Sequence, residues 1–164
     1  MNIVANTPPD LLIKLVLALG LGALIGLERS IARKTAGVRT YALVSMGAAL
    51  FVLVGELVAA QYAALGIRTA DPLRVASQIV LGIGFLGAGL IIFQNHKLSG
   101  LTTAAGLWVA AGLGMAVGFG LYFLAIAVTV LTIFTFTVLW YIEQYLEHHV
   151  EPLFESDRHE PRAK

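Results

Sequence analysis

Long apolar stretches divide this chain into five segments that are separated by short polar connections. A helix that crosses the ~30 Å hydrocarbon core of a bilayer needs about 20 residues, with a range of ~17–25. Each segment falls in or near that range, so the pattern predicts an all-α polytopic membrane protein with five transmembrane helices. The segments lie at about 11–27, 41–60, 74–94, 102–119 and 121–142.

Glycines and other small residues recur at helical spacing along several of these segments, as in Gly22-x-x-x-Gly26 and Gly114-x-x-x-Gly118. In water each glycine would weaken a helix by roughly 1 kcal/mol relative to alanine, whereas in lipid it lets helix backbones approach closely. Static helix packing is the favoured interpretation, and a moving or substrate-lining surface is the alternative. The candidate packing residues are Gly22, Gly26, Gly82, Gly84, Gly87, Gly89, Gly106, Gly114 and Gly118.

A partial internal repeat relates the first two segments to the next two. Lys34-x-x-Gly37-Val38-x-Thr40 aligns with Lys97-x-x-Gly100-Leu101-x-Thr103 at an offset of 63. Because two spans separate the copies, both would point the same way, which predicts a parallel two-helix repeat of helices 1–2 and 3–4. A chance match is the alternative, since glycine and leucine are abundant. The fifth segment is expected to be a peripheral, more lipid-facing helix beside a tight bundle of the other four.

Charge placement gives an expected orientation. The connection ERSIARKTAGVRT, between the first two segments, holds the densest group of basic residues in the chain. The positive-inside rule makes this connection cytoplasmic, with the N-terminus outside and the C-terminus inside. The N-terminus has no basic region typical of a signal peptide, so we expect it to be retained. Residues 1–142 are predicted to form the transmembrane domain and 143–164 a short charged cytoplasmic tail.

The composition excludes several classes of function. The chain is 58% hydrophobic and 13% charged, which makes the lipid bilayer its expected solvent. A net charge of +1 with scattered basic residues gives no reason to expect nucleic-acid binding. The absence of cysteine excludes disulfides, thiol catalysis and cysteine metal sites. No nucleophile–base arrangement or phosphate loop is present, so neither enzymatic activity nor a cofactor is expected.

Glu56 is an acidic residue deep in an apolar segment, about 24 Å along the second helix from Thr40 at a rise of ~1.5 Å per residue. An intramembrane carboxylate is a functional candidate by default. Arg74 and Gln78 could reach the same level, so one interpretation is a structural contact with Glu56 and the other is a proton- or cation-responsive site.

Few residues near the membrane-spanning segments could act as metal ligands. Glu28, Glu56 and Asp71 lie at different depths, which argues against a dehydrated magnesium site and leaves open a hydrated ion in a polar path. No metal site is therefore predicted, and Glu56 and Asp71 are only candidate ligands.

A second polar cluster is expected at the cytoplasmic end of the bundle. A basic collar that fixes topology would account for much of it, but orientation does not require an acid such as Glu28 directly before Arg29. The members of this expected cluster are Glu28, Arg29, Lys34, Arg39, Thr40, Lys97, Thr102 and Thr103.

Short sequence blocks stand in order within residues 11–142: GLER at 26–29, AGVRT at 36–40, DPLR at 71–74, GIGFLGAG at 82–89 and GLTTAA at 100–105. Together they resemble the MgtC/SapB family of bacterial inner-membrane proteins. The resemblance implies five spans and a link to magnesium limitation. In pathogen members it also implies survival inside macrophages and restraint of the ATP synthase.

The chain departs from this family in two respects. Tyr41 stands where the family often has histidine, and the folded cytoplasmic domain of longer members is not expected here. Virulence functions that depend on that domain are therefore not carried over.

Together these features predict a non-enzymatic inner-membrane protein of magnesium or acid homeostasis that modulates another membrane protein. The resemblance implies the ATP synthase as a partner. The alternative is a small oligomeric cation (magnesium) transporter or channel with its pore between protomers, and a passive scaffold is a third possibility.

Overall fold

The computed structural model describes residues 7–67, 71–94 and 97–146. The helices are α1 (Pro8–Ile31), α2 (Val38–Ala64), α3 (Pro72–Leu90), α4 (Leu101–Gly118) and α5 (Tyr122–Phe134). Between α3 and α4 lie two antiparallel strands, β1 (Ile92–Gln94) and β2 (Lys97–Ser99). After α5 the chain makes a π-helical turn, Thr135–Leu139, and it stays helical through Leu146.

The described residues contain five helices that are long and apolar enough to cross a membrane. This finding confirms the predicted all-α polytopic fold. One predicted boundary is wrong, because α3 ends at Leu90 and the chain then enters β1 instead of remaining helical to residue 94. The β-branched Ile92 favours an extended conformation, and its carbonyl accepts a hydrogen bond from the Ser99 hydroxyl at 3.3 Å.

The boundary between the fourth and fifth segments is a sharp helix end. Gly120 has a φ of +75° and its N–H donates to the carbonyl of Val117 at 3.0 Å, while the N–H of Leu121 donates to Ala116 at 2.8 Å. This pair of bonds is a Schellman motif, which needs a left-handed residue and therefore favours glycine. It separates α4 from α5 with only a few residues.

Helix α4 lies at the centre of the bundle and packs against each of the other four helices. The buried share of each membrane-spanning stretch is 56% for α4, 17% for α5 and 11% for α3. Helix α5 is peripheral, as expected, but α3 is more exposed still. Helix α3 packs against α2 and α4, but it buries Ile83 and Gly87 and leaves most of its other side chains exposed.

Helices α1, α2 and α4 cross where glycine permits backbone contact. A Cβ added at Gly22 would lie 2.6 Å from the Tyr41 carbonyl oxygen, and one added at Gly26 would lie 2.7 Å from the Cα of Val38. Gly118 of α4 is equally close to the side chain of Val52, at 2.8 Å. These distances leave no room for a methyl group, so glycine is what allows this part of the core to close.

The glycines of α3 are placed differently. A Cβ added at Gly82, Gly84 or Gly89 would meet no atom within 4 Å, and one at Gly87 would make an ordinary contact of 3.7 Å with the Cβ of Ala104. These glycines do not set the packing between α3 and α4.

The parallel two-helix repeat stays a prediction.

Candidate functional site at the basic end of the bundle

The α1–α2 loop and the β-hairpin lie at one end of the bundle, which we call the basic end. The close approach of Gly26 to Val38 brings the end of α1 against the start of α2. The Ser30 hydroxyl accepts a hydrogen bond from the Val38 N–H at 3.1 Å, and the Lys34 N–H donates to the Arg29 carbonyl at 3.0 Å. These bonds fix the loop to the helix that precedes it.

Arg29 is buried at this end, with 3% of its surface exposed. Its guanidinium forms an ion pair with Glu28 through two nitrogens, one of which, Nη2, donates to Oε1 at 2.7 Å. The ring of Phe136 lies on another side, 3.7 Å from Cζ to the ring centroid. A cation held over an aromatic face is stabilised by the quadrupole of the ring. Arg29 therefore has an anionic and an aromatic partner in an apolar surrounding.

Phe136 belongs to the π-helical turn that follows α5. Its carbonyl also accepts a hydrogen bond from Nη2 of Arg29, at 3.5 Å. The hydroxyls of Thr129, Thr132 and Thr135 donate to carbonyls four residues earlier, at 2.7–2.9 Å. Such bonds often bend helices, and single π-helical turns are frequent at functional sites. The irregular turn thus presents both a ring face and a carbonyl to Arg29.

Tyr41 and α4 complete the site. The Tyr41 side chain is fully buried, and its hydroxyl donates a hydrogen bond to the Thr103 carbonyl at 3.2 Å. A Cβ added at Gly106 would overlap the Tyr41 hydroxyl and the Phe136 ring, so this glycine makes room for both. The structure thereby joins four helices in one set of contacts, which we call the Arg29 cluster: Glu28, Arg29, Tyr41, Thr103, Gly106 and Phe136.

The family model described as the MgtC family matches residues 15–145, which includes every residue of the Arg29 cluster. The chain belongs to the MgtC family. No solved structure matches the chain.

Curated members of the family are similar to this chain over part of their length. YhiD of Escherichia coli K12, named as a candidate magnesium transporter, is 43% identical over 129 residues, which are 79% of this chain and 60% of YhiD. Protein MgtC of Brucella abortus strain 2308 is 48% identical over 85 residues, or 52% of this chain and 32% of that protein. Protein MgtC of Salmonella typhimurium strain 14028s is 45% identical over 94 residues, covering 57% and 37% respectively.

The structure divides the polar cluster that the sequence predicts for this end of the MgtC-family chain. Glu28, Arg29 and Thr103 belong to the Arg29 cluster, and the Lys97 side chain lies outside the described residues. The exposed members are Lys34, Arg39, Thr40 and Thr102. Sequence reasoning therefore found the buried ion pair but did not separate it from the surface around it.

Tyr41 and Phe136 were missed as members of the site. Tyr41 was noted only as a departure from the family pattern, and Phe136 lies in a run of apolar residues where nothing distinguishes it. The partner of Phe136 on α1 is Arg29, which is 107 residues away along the chain. No local pattern indicates that contact.

The polar residues predicted nearer the opposite end lie at similar depth along the helices, but no hydrogen bond or ion pair connects them among the described residues. Gly55 packs against the side chain of Val75, which puts the half-buried Glu56 and the exposed Arg74 near the same depth. Within the described residues, no hydrogen bond or ion pair links Glu56 to Arg74 or to Gln78, which is also exposed. Asp71 caps α3 by accepting a hydrogen bond from the Leu73 N–H at 3.0 Å.

Lys14 is a buried cation that the sequence reasoning overlooked. Its Nζ donates to the carbonyl of Gly118 at 3.1 Å, at the C-terminal end of α4. A lysine is favourable there because the last carbonyls of a helix carry partial negative charge. The signal was available, since a charged residue inside an apolar segment is itself a reason to look for a partner.

Two further observations bear on metal and small-ligand chemistry. In the part of the chain that the structure describes, no group of three His, Cys, Asp or Glu residues could hold a metal ion. The Ser45 hydroxyl is buried between α1, α2 and α4 and makes no hydrogen bond with the described residues. The Arg29 cluster itself offers a buried Arg29–Glu28 ion pair and contacts that join helices.

Proposed function

We propose that this MgtC-family protein is a non-enzymatic bacterial inner-membrane protein of magnesium homeostasis that acts by modulating another membrane protein. The magnesium link rests on family membership and on YhiD being named as a candidate magnesium transporter. The chain spans 60% of YhiD. The activity of the whole relative therefore enters here as a proposal.

One observation carries the choice of a modulator. The crossing of α1, α2 and α4 is closed by backbone contacts at Gly22, Gly26 and Gly114, so an ion path through the middle of one protomer would have to open very tight contacts. At the basic end, by contrast, Lys34 lies exposed on the loop that is hydrogen-bonded to Arg29, and Arg39 lies exposed in the first turn of α2. A rigid, charged surface of this kind suits contact with a protein partner or with anionic lipid.

We also propose the orientation that the positive-inside rule favours, with the basic end in the cytoplasm. A cytoplasmic basic end would let Lys34 and Arg39 reach a partner's cytoplasmic surface. The ATP synthase, which family resemblance implies, is the first candidate to test.

The second candidate function is cation transport by an oligomer. The observation that favours it is Glu56, a half-buried carboxylate inside a membrane-spanning helix without a hydrogen bond or ion pair to the other described residues. Carboxylates in such positions mark ion and proton paths in transporters. A path between protomers would avoid the closed crossing of α1, α2 and α4.

Magnesium flux in proteoliposomes distinguishes the two candidates. The purified protein should be reconstituted beside its Glu56→Gln and Arg39→Ala variants, with empty liposomes as the baseline. The modulator proposal expects no flux above the baseline from any of the three, with folding checked by circular dichroism. Flux from the wild-type protein that falls in Glu56→Gln would overturn the modulator proposal and establish transport.

A matched binding experiment tests the partner surface. We expect Arg39→Ala to reduce recovery of a membrane-protein partner after cross-linking in cells, while Arg33→Ala, at an exposed position of the preceding loop, serves as the control. Equal recovery with wild-type protein and Arg39→Ala would contradict the assignment of this surface.

A further inference from the structure

One face of α3 is unoccupied by the described residues. It carries Gln78, Gly82, Phe85 and Gly89, which we call the α3 seam, and all four are exposed. Phe85 is 83% exposed, and a Cβ added at Gly82 or Gly89 would meet no atom within 4 Å. Bulky and small positions therefore alternate along a face that has room for another helix.

The spacing of the seam is that of a helix pair. Its residues follow one another at intervals of four, three and four, which is the heptad pattern that keeps one helix against a partner along its length. Asp71 lies one heptad before Gln78, so the seam extends to the start of α3.

Gln78 identifies the chemistry of the partner. It lies about 9 Å along α3 from Pro72 at ~1.5 Å per residue, and its amide makes no hydrogen bond with the described residues. A polar group in lipid is costly unless it is hydrogen-bonded. An amide both donates and accepts, so the same amide of a second copy satisfies it, whereas an acyl chain offers it nothing.

Charge at the end of the seam agrees with self-association. Asp71 and Arg74 are both exposed at the first turn of α3 and have opposite signs. A two-fold axis parallel to the helix would bring the pair of one copy beside the pair of the other, so each acid meets a base. Such an interface is isologous, with the same patch on both subunits.

A groove lies beside the seam and has space for side chains of a second helix. It lies between α2, α3 and α4, has a volume of about 540 Å³, and includes Gly47, Gln78 and Gly82 in its walls. A Cβ added at Gly47 or Gly82 would meet nothing within 4 Å. Larger residues would fit there and would favour the helices by roughly 1 kcal/mol each. Glycine instead keeps the groove open.

We propose that a second copy of this chain occupies the groove, so that the protein is a symmetric dimer joined through the α3 seam with the two Gln78 amides hydrogen-bonded to each other. The proposal is independent of whether the protein modulates a partner or transports an ion. It commits to a second copy rather than a lipid or an unrelated helix because the seam is self-complementary in amide chemistry and in charge.

Cysteine cross-linking in native membranes tests the dimer, since the chain contains no cysteine of its own. Gly82→Cys and Gly84→Cys form a matched pair, because both glycines have open space at Cβ and lie about 200° apart around the helix at 3.6 residues per turn. Oxidation should link Gly82→Cys into a dimer and leave Gly84→Cys monomeric. Equal cross-linking of the two variants, or none in either, would overturn the interface.

Association measurements then test the amide and the groove. We expect Gln78→Leu to raise the dimer dissociation constant roughly three- to tenfold in nanodiscs or detergent, and Gly82→Leu to give monomers while Gly84→Leu stays dimeric. A wild-type protein that is monomeric, with Gln78→Leu behaving like it, would assign the groove to lipid and refute the proposal. Recovery of Gly82→Cys cross-linked to a different protein, instead of to itself, would refute it as well.

Discussion

Arg29 is a cation inside an apolar bundle, and three neighbouring groups stabilise its charge there. Glu28 supplies the opposite charge, the Phe136 ring faces the guanidinium at 3.7 Å, and the Phe136 carbonyl accepts from it at 3.5 Å. Removing charges from water is expensive, and the attraction between them repays that cost only when further hydrogen bonds are present. The arrangement is thus more sensitive to loss of one partner than to replacement of both.

Arg29→Ala should destabilise the protein by about 3–5 kcal/mol, because it leaves the Glu28 carboxylate partly buried without its partner. The double change Arg29→Met with Glu28→Gln should recover much of that loss, since no unpaired charge remains. The measurement is the free energy of unfolding in mixed micelles. Arg39→Ala, at an exposed position of the same end, should stay within about 0.5 kcal/mol of wild type. A loss from Arg39→Ala as large as that from Arg29→Ala would refute this account.

At the residue scale, the sequence indicated Glu28 and Arg29 because an acid beside a base at a helix end is not needed for orientation. It did not indicate Phe136, whose role depends on a π-helical turn and on a helix far along the chain. Local sequence patterns indicate charge and spacing. They do not indicate which distant aromatic ring will contact a charged residue.

At the scale of elements, two classes of glycine have opposite roles. Gly22 and Gly26 of α1 and Gly114 of α4 lie where the backbone of another helix approaches. Three glycines of α3, Gly82, Gly84 and Gly89, lie in open space. The sequence alone gives both classes the same appearance, because Gly-rich spacing is similar in each. Only the position of the neighbouring helix decides whether a methyl group would clash.

Gly114→Ala and Gly112→Ala test this difference within α4. A Cβ at Gly114 would overlap the backbone carbonyl of Ser45, whereas one at Gly112 would meet no atom within 4 Å. We expect Gly114→Ala to lower the free energy of unfolding by about 1–3 kcal/mol or more, because a backbone cannot give way without moving α2. Gly112→Ala should be neutral or stabilising by up to about 1 kcal/mol. Equal changes in the free energy of unfolding for the two variants would contradict the described helix crossing.

At the scale of the whole molecule, the two ends of the bundle differ in what holds them. The basic end has the Arg29 cluster, which joins α1, α2, α4 and the turn after α5. The opposite end has Lys14 on the last carbonyl of α4 and Asp71 on the first turn of α3. At the opposite end both contacts use groups that a helix leaves unpaired, a last carbonyl of α4 and a first N–H of α3.

Thiol labelling in intact cells should report which end faces the cytoplasm. Because the chain lacks cysteine, Arg39→Cys and Asp71→Cys each place one thiol at an exposed position, at opposite ends of the bundle. The positive-inside rule predicts that an impermeant reagent labels Asp71→Cys directly and Arg39→Cys only after permeabilisation. The reverse pattern would invert the proposed orientation.

The sequence by itself determined the number of helices, their approximate ends and the fold class, because spanning a bilayer requires a certain length of apolar chain. It also placed the charged residues that favour one orientation. The tertiary structure decided that α4 is central, that α3 is more exposed than α5, and that Arg29 meets Phe136. These follow from which helix faces come together, and in lipid that choice depends on detailed packing and hydrogen bonding rather than on hydrophobic drive.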